Sequence, residues 1–235
     1  MGVSTARILL AGASGLVGKQ VLQCLLGDHE FRGHIVAPVR RPLAIADPRL
    51  TTVIAPSGRD DADALLPSVL ADTLPALDVV VSCLGTTLKA AGSRAAFIVV
   101  DRDLVLHLAQ VARRHGARHA IVVSSVGASR QSANFYLRIK GEVEDTFGTM
   151  GFERLDIVQP GLLLGNRETP RPGEALAQRL APLFNPLLMG RFKTYRSIAS
   201  EQVAGAIAKL TEETTQGRFV HTYNDIIAQA AARVA

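Results

Sequence analysis

The stretch Ile8-Leu9-Leu10-Ala11-Gly12-Ala13-Ser14-Gly15-Leu16-Val17-Gly18-Lys19 decides the fold. Its first four residues read as a buried strand. Three glycines follow with the spacing G-x-x-G-x-x-G, and a helical apolar stripe then begins. A strand that turns sharply into a helix aims unpaired backbone N–H groups, backed by the positive end of the helix dipole, at one point. Such a point suits phosphate. Gly12 permits the tight turn, Gly15 lets a pyrophosphate approach the backbone, and Gly18 lets the helix lie close to its strand.

Outward from that loop, the rest of the chain alternates in the same way. Strands are predicted over 7–11, 34–39, 50–54, 77–84, 120–123 and 155–158, the last halted by Pro160. Helices are predicted over 16–26, 62–70, 94–115 (closed by Gly116) and 134–150 (closed by Gly151). The nearly unbroken apolar run Asp78-Val79-Val80-Val81-Ser82-Cys83 suits a central strand covered on both faces. This order predicts an α/β fold with a doubly wound parallel sheet. Ligands of such sheets bind beyond the carboxyl ends of the strands. The glycine loop, Leu84-Gly85-Thr86-Thr87, Ser124-Ser125 and Gln159-Pro160-Gly161 all follow predicted strands, so one crevice would collect them. Beyond Gly161 the pattern loosens into a loop over 167–173 and a proline-broken helix over 174–188. A helix capped by Ser200 and running to Leu210, a short strand at 219–220 and a terminal helix capped by Asn224 complete the chain. Residues 1–235 are expected to form a single domain, with 162–200 as its substrate-side region.

Composition excludes several alternatives. At 48% hydrophobic and 20% charged residues, the chain has enough apolar surface for a packed core. The net charge of +5 is dispersed and carries no basic run with interleaved aromatics, so nucleic acid is not an expected partner. No 18-residue apolar segment or signal peptide is visible, which makes a soluble cytoplasmic protein without membrane contact the expectation. Cys24 and Cys83 cannot build a disulfide framework or a zinc site, and His107, His115, His119 and His221 lack ligand-like spacing. No metal is expected.

Tyr136 and Lys140 stand four residues apart in a helical segment and share a face. An ammonium near a phenol favours the phenolate, and a tyrosine so placed passes a proton to or from a carbonyl or hydroxyl. Ser124 and Ser125 end a strand shortly before; a hydroxyl of either would orient the substrate oxygen for Tyr136.

The order of glycine loop, strand-end serine, Y-x-x-x-K and Pro-Gly after a strand resembles the short-chain dehydrogenase/reductase superfamily. Cys83-Leu84-Gly85-Thr86-Thr87, Val100-Asp101-Arg102-Asp103, Tyr136-Leu137-Arg138-Ile139-Lys140-Gly141-Glu142-Val143-Glu144, Gln159-Pro160-Gly161 and Arg171-Pro172-Gly173-Glu174 are similar to its atypical, TIP30-like group. The resemblance implies a Rossmann-type domain that binds NAD(P). Gly12, Ser14, Gly15, Leu16, Val17 and Gly18 would hold the pyrophosphate. Leu84 and Gly85, with Thr86 beside them, would line the adenosine side, and Pro160, Gly161 and Leu162 the nicotinamide side. Lys140 would also hold ribose hydroxyls, with Tyr136 next to it. Asp101 falls where relatives carry a polar helix residue near the active site. Many relatives also have an acidic residue after the third strand, where this chain has Ala55-Pro56-Ser57-Gly58.

At the end of the second strand an NAD site usually offers Asp or Glu to the ribose 2′-OH. Here Arg40 and Arg41 follow Val39, and a guanidinium suits a 2′-phosphate, so NADP is expected over NAD. The leading expectation is an NADP-dependent oxidoreductase whose small-molecule substrate the sequence does not identify. An NADP-binding sensor without turnover and an epimerase-like enzyme stay open, as does the oligomeric state, a homodimer included.

Overall fold

Strand β1 (Arg7–Ala11) lies at the centre of the molecule, hydrogen-bonded on both edges. The computed structural model describes residues 5–54, 74–165 and 190–234. After β1 come α1 (Leu16–Gly27), β2 (His34–Val39), β3 (Leu50–Ile54) and β4 (Val79–Ser82). Then follow α2 (Leu88–Ala91), α3 (Arg94–Ile98), a π-helical segment (Val99–Asp103), α4 (Leu104–Arg114), β5 (His119–Val123) and α5 (Phe135–Thr149). The chain continues with β6 (Arg154–Val158), β7 (Leu163–Leu164), a 3-10 turn (Gly190–Tyr195), β8 (Ile198–Ala199), α6 (Ser200–Leu210), β9 (Gly217–His221) and α7 (Tyr223–Val234).

Seven strands form one parallel sheet in the order β3-β2-β1-β4-β5-β6-β9, the doubly wound topology expected of a Rossmann-type fold. The order reverses between β1 and β4, where Leu9 pairs with Val36 on one side and Val80 on the other. Such a switch point opens a crevice at the carboxyl ends of the strands. Alternation along the strands divides the core. Ile8, Leu10, Val79, Val81 and Ile121 face α1 and α6; Leu9, Val36, Val80 and Val122 face α4 and α5. β4 is buried at all four positions, because helices cover both of its faces.

Several details differ from the sequence expectations. The long helix over 94–115 is interrupted by the π turn at Val99–Asp103, a deviation that one-residue-resolution periodicity does not register. Ser200 does not cap α6. Ala199 is the N-cap and its N–H donates to Gln202 Oε1 (3.3 Å), while Ser200 Oγ accepts from Gln20 Nε2 (2.9 Å). Asn224 does not cap α7 either: the helix begins at Tyr223, and the Thr222 N–H and hydroxyl, two residues ahead of the predicted cap, both donate to Asp225 Oδ2 (2.9 and 3.1 Å). Asn134 does cap α5, accepting from the Leu137 N–H (3.2 Å). A two-stranded β7-β8 sheet was not foreseen, being too short for any periodicity. The predicted helices at 62–70 and 174–188, the loop at 167–173, the Arg171–Glu174 motif and the segment after β3 lie outside the described residues.

His119 and His221, left without an assigned role by the sequence, meet in the core. Each brings Nε2 to 2.7 Å from the buried Asp156 carboxylate, which Arg154 also clasps through Nε (2.6 Å) and Nη2 (2.9 Å). Arg154 donates further to the Thr215 carbonyl (2.8 Å) and stacks over Phe219. Burial alone would raise the Asp156 pKa, but these hydrogen bonds outweigh it and hold the carboxyl well below its usual range. The cluster ties β5, β6 and β9 together.

Candidate active site

The glycine loop forms the floor of the crevice. Gly12 has φ +85°, and a Cβ there would lie 2.8 Å from the Cys83 carbonyl carbon, so the turn and the close pass of β4 both require glycine. A Cβ on Gly18 would come within 2.1 Å of the Gly12 carbonyl oxygen, which is the helix-to-strand approach expected of this position. The Gly15 N–H donates to Gly12 O (2.9 Å), closing the turn. Gly15 is the N-cap of α1, so no side chain caps the helix, and its first turn holds no acidic residue. The first-turn amides of Leu16, Val17 and Gly18 therefore have no intrahelical acceptor and no repelling carboxylate. Exposed Ser14 sits at the mouth. This cradle fits an anionic pyrophosphate by its own geometry.

β4 delivers the second wall. After Cys83, whose N–H donates to Ala11 O (2.9 Å), the chain runs through Leu84 and Gly85 to Thr86. The Thr86 N–H donates to Asp101 Oδ2 (2.8 Å). Asp101 Oδ1 lies 2.9 Å from Lys140 Nζ, with both side chains almost fully buried. A Cβ on Gly85 would lie 3.6 Å from Asp101 Oδ1 and 3.7 Å from Lys140 Nζ, so Gly85 packs directly on this ion pair. The π turn carries Asp101 into the contact. The structure thus brings Gly85, Thr86 and Lys140 together, with Asp101 as their hub. Burial of the neighbouring Cys83 thiol pushes its pKa up to about 12, which keeps it a neutral, unreactive wall residue.

α5 supplies Tyr136 one turn ahead of Lys140. Its ring packs edge-on against the buried Phe97 (5.9 Å between centroids), and Lys140 Nζ lies 5.9 Å from the ring centroid. Phe97 and Asn134 fix the start of the helix, yet Tyr136 stays 37% exposed.

The two strand-end serines part company. Ser124 is buried; its hydroxyl donates to Glu144 Oε1, and its N–H to the Val158 carbonyl (2.8 Å). Gln159 Nε2 donates to both Glu144 oxygens (2.9 and 3.0 Å), completing a buried cluster beneath the site. Burial raises the Glu144 pKa, although Ser124 and Gln159 oppose this by hydrogen bonding the carboxylate. Ser125 is half-buried, and its hydroxyl makes only a long 3.5 Å contact to the Val126 carbonyl. Sequence reasoning missed Glu144 and Gln159. Their signal was the one-turn spacing from Lys140 to Glu144, which continues the inward face of α5.

The Pro160-Gly161-Leu162 turn closes the far side. Pro160 O accepts from the Val126 N–H (3.1 Å), and Leu162 O from the Ile198 N–H (2.9 Å). A Cβ on Gly161 would overlap the Arg196 carbonyl oxygen at 2.3 Å, so glycine is needed for this crossing. Arg40 and Arg41 are exposed immediately after β2, and among the described residues no side chain holds either guanidinium. They share the carboxyl end of the sheet with the loop but do not touch the Tyr136–Lys140 wall. Among the described residues no group of three or more His, Cys, Asp or Glu side chains is placed to hold a metal ion, and no helix is long and apolar enough to cross a membrane.

A family model described as NAD(P)H-binding matches residues 12–214. The chain belongs to this family. Among its relatives is Protein HTATIP2 of Rattus norvegicus, 36% identical over 172 residues, which cover 73% of this chain and 69% of that one. Another is Protein fmp52, mitochondrial, of Emericella nidulans, 35% identical over 179 residues and 75% of each chain. The TIP30-like resemblance in the motifs is therefore shown. Among solved structures, MoeE5 in complex with UDP-glucose and NAD matches at a TM-score of 0.66 and 16% identity, over 96% of this chain and 81% of that one. That likeness establishes the fold.

Proposed function

We propose that this NAD(P)-binding protein is an NADP-dependent oxidoreductase that interconverts a carbonyl compound and an alcohol. The observation that carries this reading is the partly exposed Tyr136 one helical turn from Lys140, together with a half-buried strand-end Ser125 whose hydroxyl makes only a long 3.5 Å contact of its own. Gly12, Ser14, Gly15, Leu16, Val17 and Gly18 would hold the pyrophosphate, and Leu84, Gly85 and Thr86 the adenosine side. Pro160, Gly161 and Leu162 would flank the nicotinamide, and Arg40 and Arg41 would take the 2′-phosphate. When bound, the cofactor supplies or accepts the hydride. The chain's own part is then positional and protic. Ser125 donates a hydrogen bond to the substrate oxygen, Tyr136 gives it or takes from it a proton, and Lys140, one turn away, would hold the ribose hydroxyls. Ser124 is spent on Glu144 and serves as a support.

The test is Tyr136→Phe. NADPH consumption with a confirmed carbonyl substrate should fall at least 100-fold while NADPH binding, followed by fluorescence titration, changes little. Surviving turnover would refute the assignment.

One observation favours a second reading, a cofactor sensor without turnover. The Asp101 carboxylate matches the Lys140 charge, which weakens the field that Lys140 exerts on Tyr136. Micromolar NADPH binding together with silence across a broad carbonyl screen would favour the sensor.

A further inference from the structure

The oxidoreductase reading names a proton donor but no residue that selects the substrate. Residues Gly190–Tyr195 cross over the Pro160-Gly161-Leu162 turn, and a Cβ on Gly161 would lie 3.0 Å from both the carbonyl carbon and oxygen of Tyr195. The backbone there is fixed on both sides: Arg196 N–H donates to Lys193 O (3.1 Å), and Ile198 N–H to Leu162 O (2.9 Å). Tyr195 therefore projects from a defined position. Its hydroxyl reaches toward the Ser125-to-Gly127 loop, 3.7 Å from where a Gly127 Cβ would sit. Leu137 Cδ1, next in sequence to Tyr136, lies 3.6 Å from the same point. Gly127 has φ +79°, so the gap between them is kept open by a residue that a larger side chain replaces only with strain.

Tyr195 is 51% exposed, and Leu162, which follows the Gly161 that Tyr195 crosses, is 40% exposed. Among the described residues no hydrogen bond holds the Tyr195 hydroxyl. The neighbouring cation is turned elsewhere, since the Arg196 guanidinium lies over the Tyr223 ring at 5.9 Å. An exposed aromatic ring and an exposed leucine with one free hydroxyl match a flat apolar group that carries a polar atom at its edge.

Resting on the oxidoreductase reading, the geometry points to Tyr195 as the residue that selects the substrate, and to carbonyl compounds or alcohols bearing an aromatic or similarly flat apolar group as the substrate class. Tyr195 stacks on that group. Leu162 and Leu137 flank it, and the reacting oxygen is left to Ser125 and Tyr136.

The experiment compares wild type, Tyr195→Phe and Tyr195→Ala, each supplied with NADPH. Turnover is followed by NADPH consumption with benzaldehyde and, as a hydrophilic counterpart, glyceraldehyde. Binding of acetophenone is followed by saturation-transfer NMR. The expected result is Tyr136-dependent turnover that prefers benzaldehyde. Tyr195→Ala should raise its KM at least tenfold with kcat within threefold and unchanged NADP affinity, and Tyr195→Phe should retain most of the ring's effect. Tyr136-dependent turnover that prefers glyceraldehyde, or is indifferent to Tyr195→Ala, overturns the inference and leaves the oxidoreductase reading standing. Acetophenone binding lost in Tyr195→Ala but without turnover of either aldehyde supports the inference and counts against the oxidoreductase reading. Absence of both turnover and binding overturns the inference.

Discussion

Lys140 holds its ammonium 2.9 Å from the Asp101 carboxylate, across two helical elements and almost out of reach of water. Removing one partner of a buried pair leaves the other charge uncompensated, which costs about 3–5 kcal/mol. Asp101→Asn should lower stability by that order in urea denaturation, although an asparagine oxygen still accepts from Thr86. The double variant Asp101→Leu/Lys140→Met should lose less than the two single changes combined. A loss below about 1 kcal/mol for Asp101→Asn would mean that the pair does not form in solution.

The two adjacent serines should separate cleanly. Ser125→Ala should reduce kcat about 100-fold, the scale of a lost oxyanion-type donor, with an unchanged melting temperature. Ser124→Ala leaves Glu144 short of a donor and should cost about 1–3 kcal/mol in stability, with a much smaller effect on kcat. Kinetics and thermal melts on the same two preparations decide it; the reverse pattern would exchange their roles.

Arg40 and Arg41 are exposed and among the described residues no side chain holds either guanidinium, so Arg40→Ala/Arg41→Ala should leave the melting temperature unchanged. Hydrogen bonds to a charged group contribute about 1.5–3 kcal/mol, so NADPH affinity should fall roughly 10- to 150-fold while NADH affinity holds. Parallel titrations with both cofactors measure this, and equal weakening of the two would remove the arginines from the 2′-phosphate site.

Acid should expose the core cluster. Asp156 has a folded pKa below its unfolded value, so its contribution to stability is complete above the unfolded carboxylate pKa of about 3.9. That contribution is lost as pH falls from there through the folded value. The gap in unfolding free energy between wild type and Asp156→Asn should therefore be wide at pH 6 and narrow as pH drops below about 4. A gap that stays constant to pH 3 would show that the Asp156 charge contributes nothing.

Much of this molecule was legible in one dimension. β2 and β3 have the bounds their apolar runs predict, and α1 and α5 differ from theirs by about a residue. Gly12 and Gly18 do what their spacing implied. The helix caps were read less well. Ser200 is of the residue type that caps helices, but its hydroxyl accepts from Gln20, 180 positions away, and the N-cap is Ala199, whose N–H donates to Gln202 Oε1. The small β7-β8 sheet and the π turn are too local or too irregular to leave a periodic trace.

What the sequence alone determined is the order of elements, the phosphate-type loop and the Tyr136–Lys140 face. Each depends on residues within a few positions of one another, where strand and helix periods and glycine's backbone freedom act directly. Only the tertiary structure decided which serine is committed to Glu144, what neutralises Lys140, which side chains His119 and His221 bind, and where Tyr195 comes to rest. Those contacts join positions such as His119 and Asp156, 37 apart, or His221 and Asp156, 65 apart. Their energies depend on burial and on which polar partners the packed sheet brings within reach, and neither is written in local spacing.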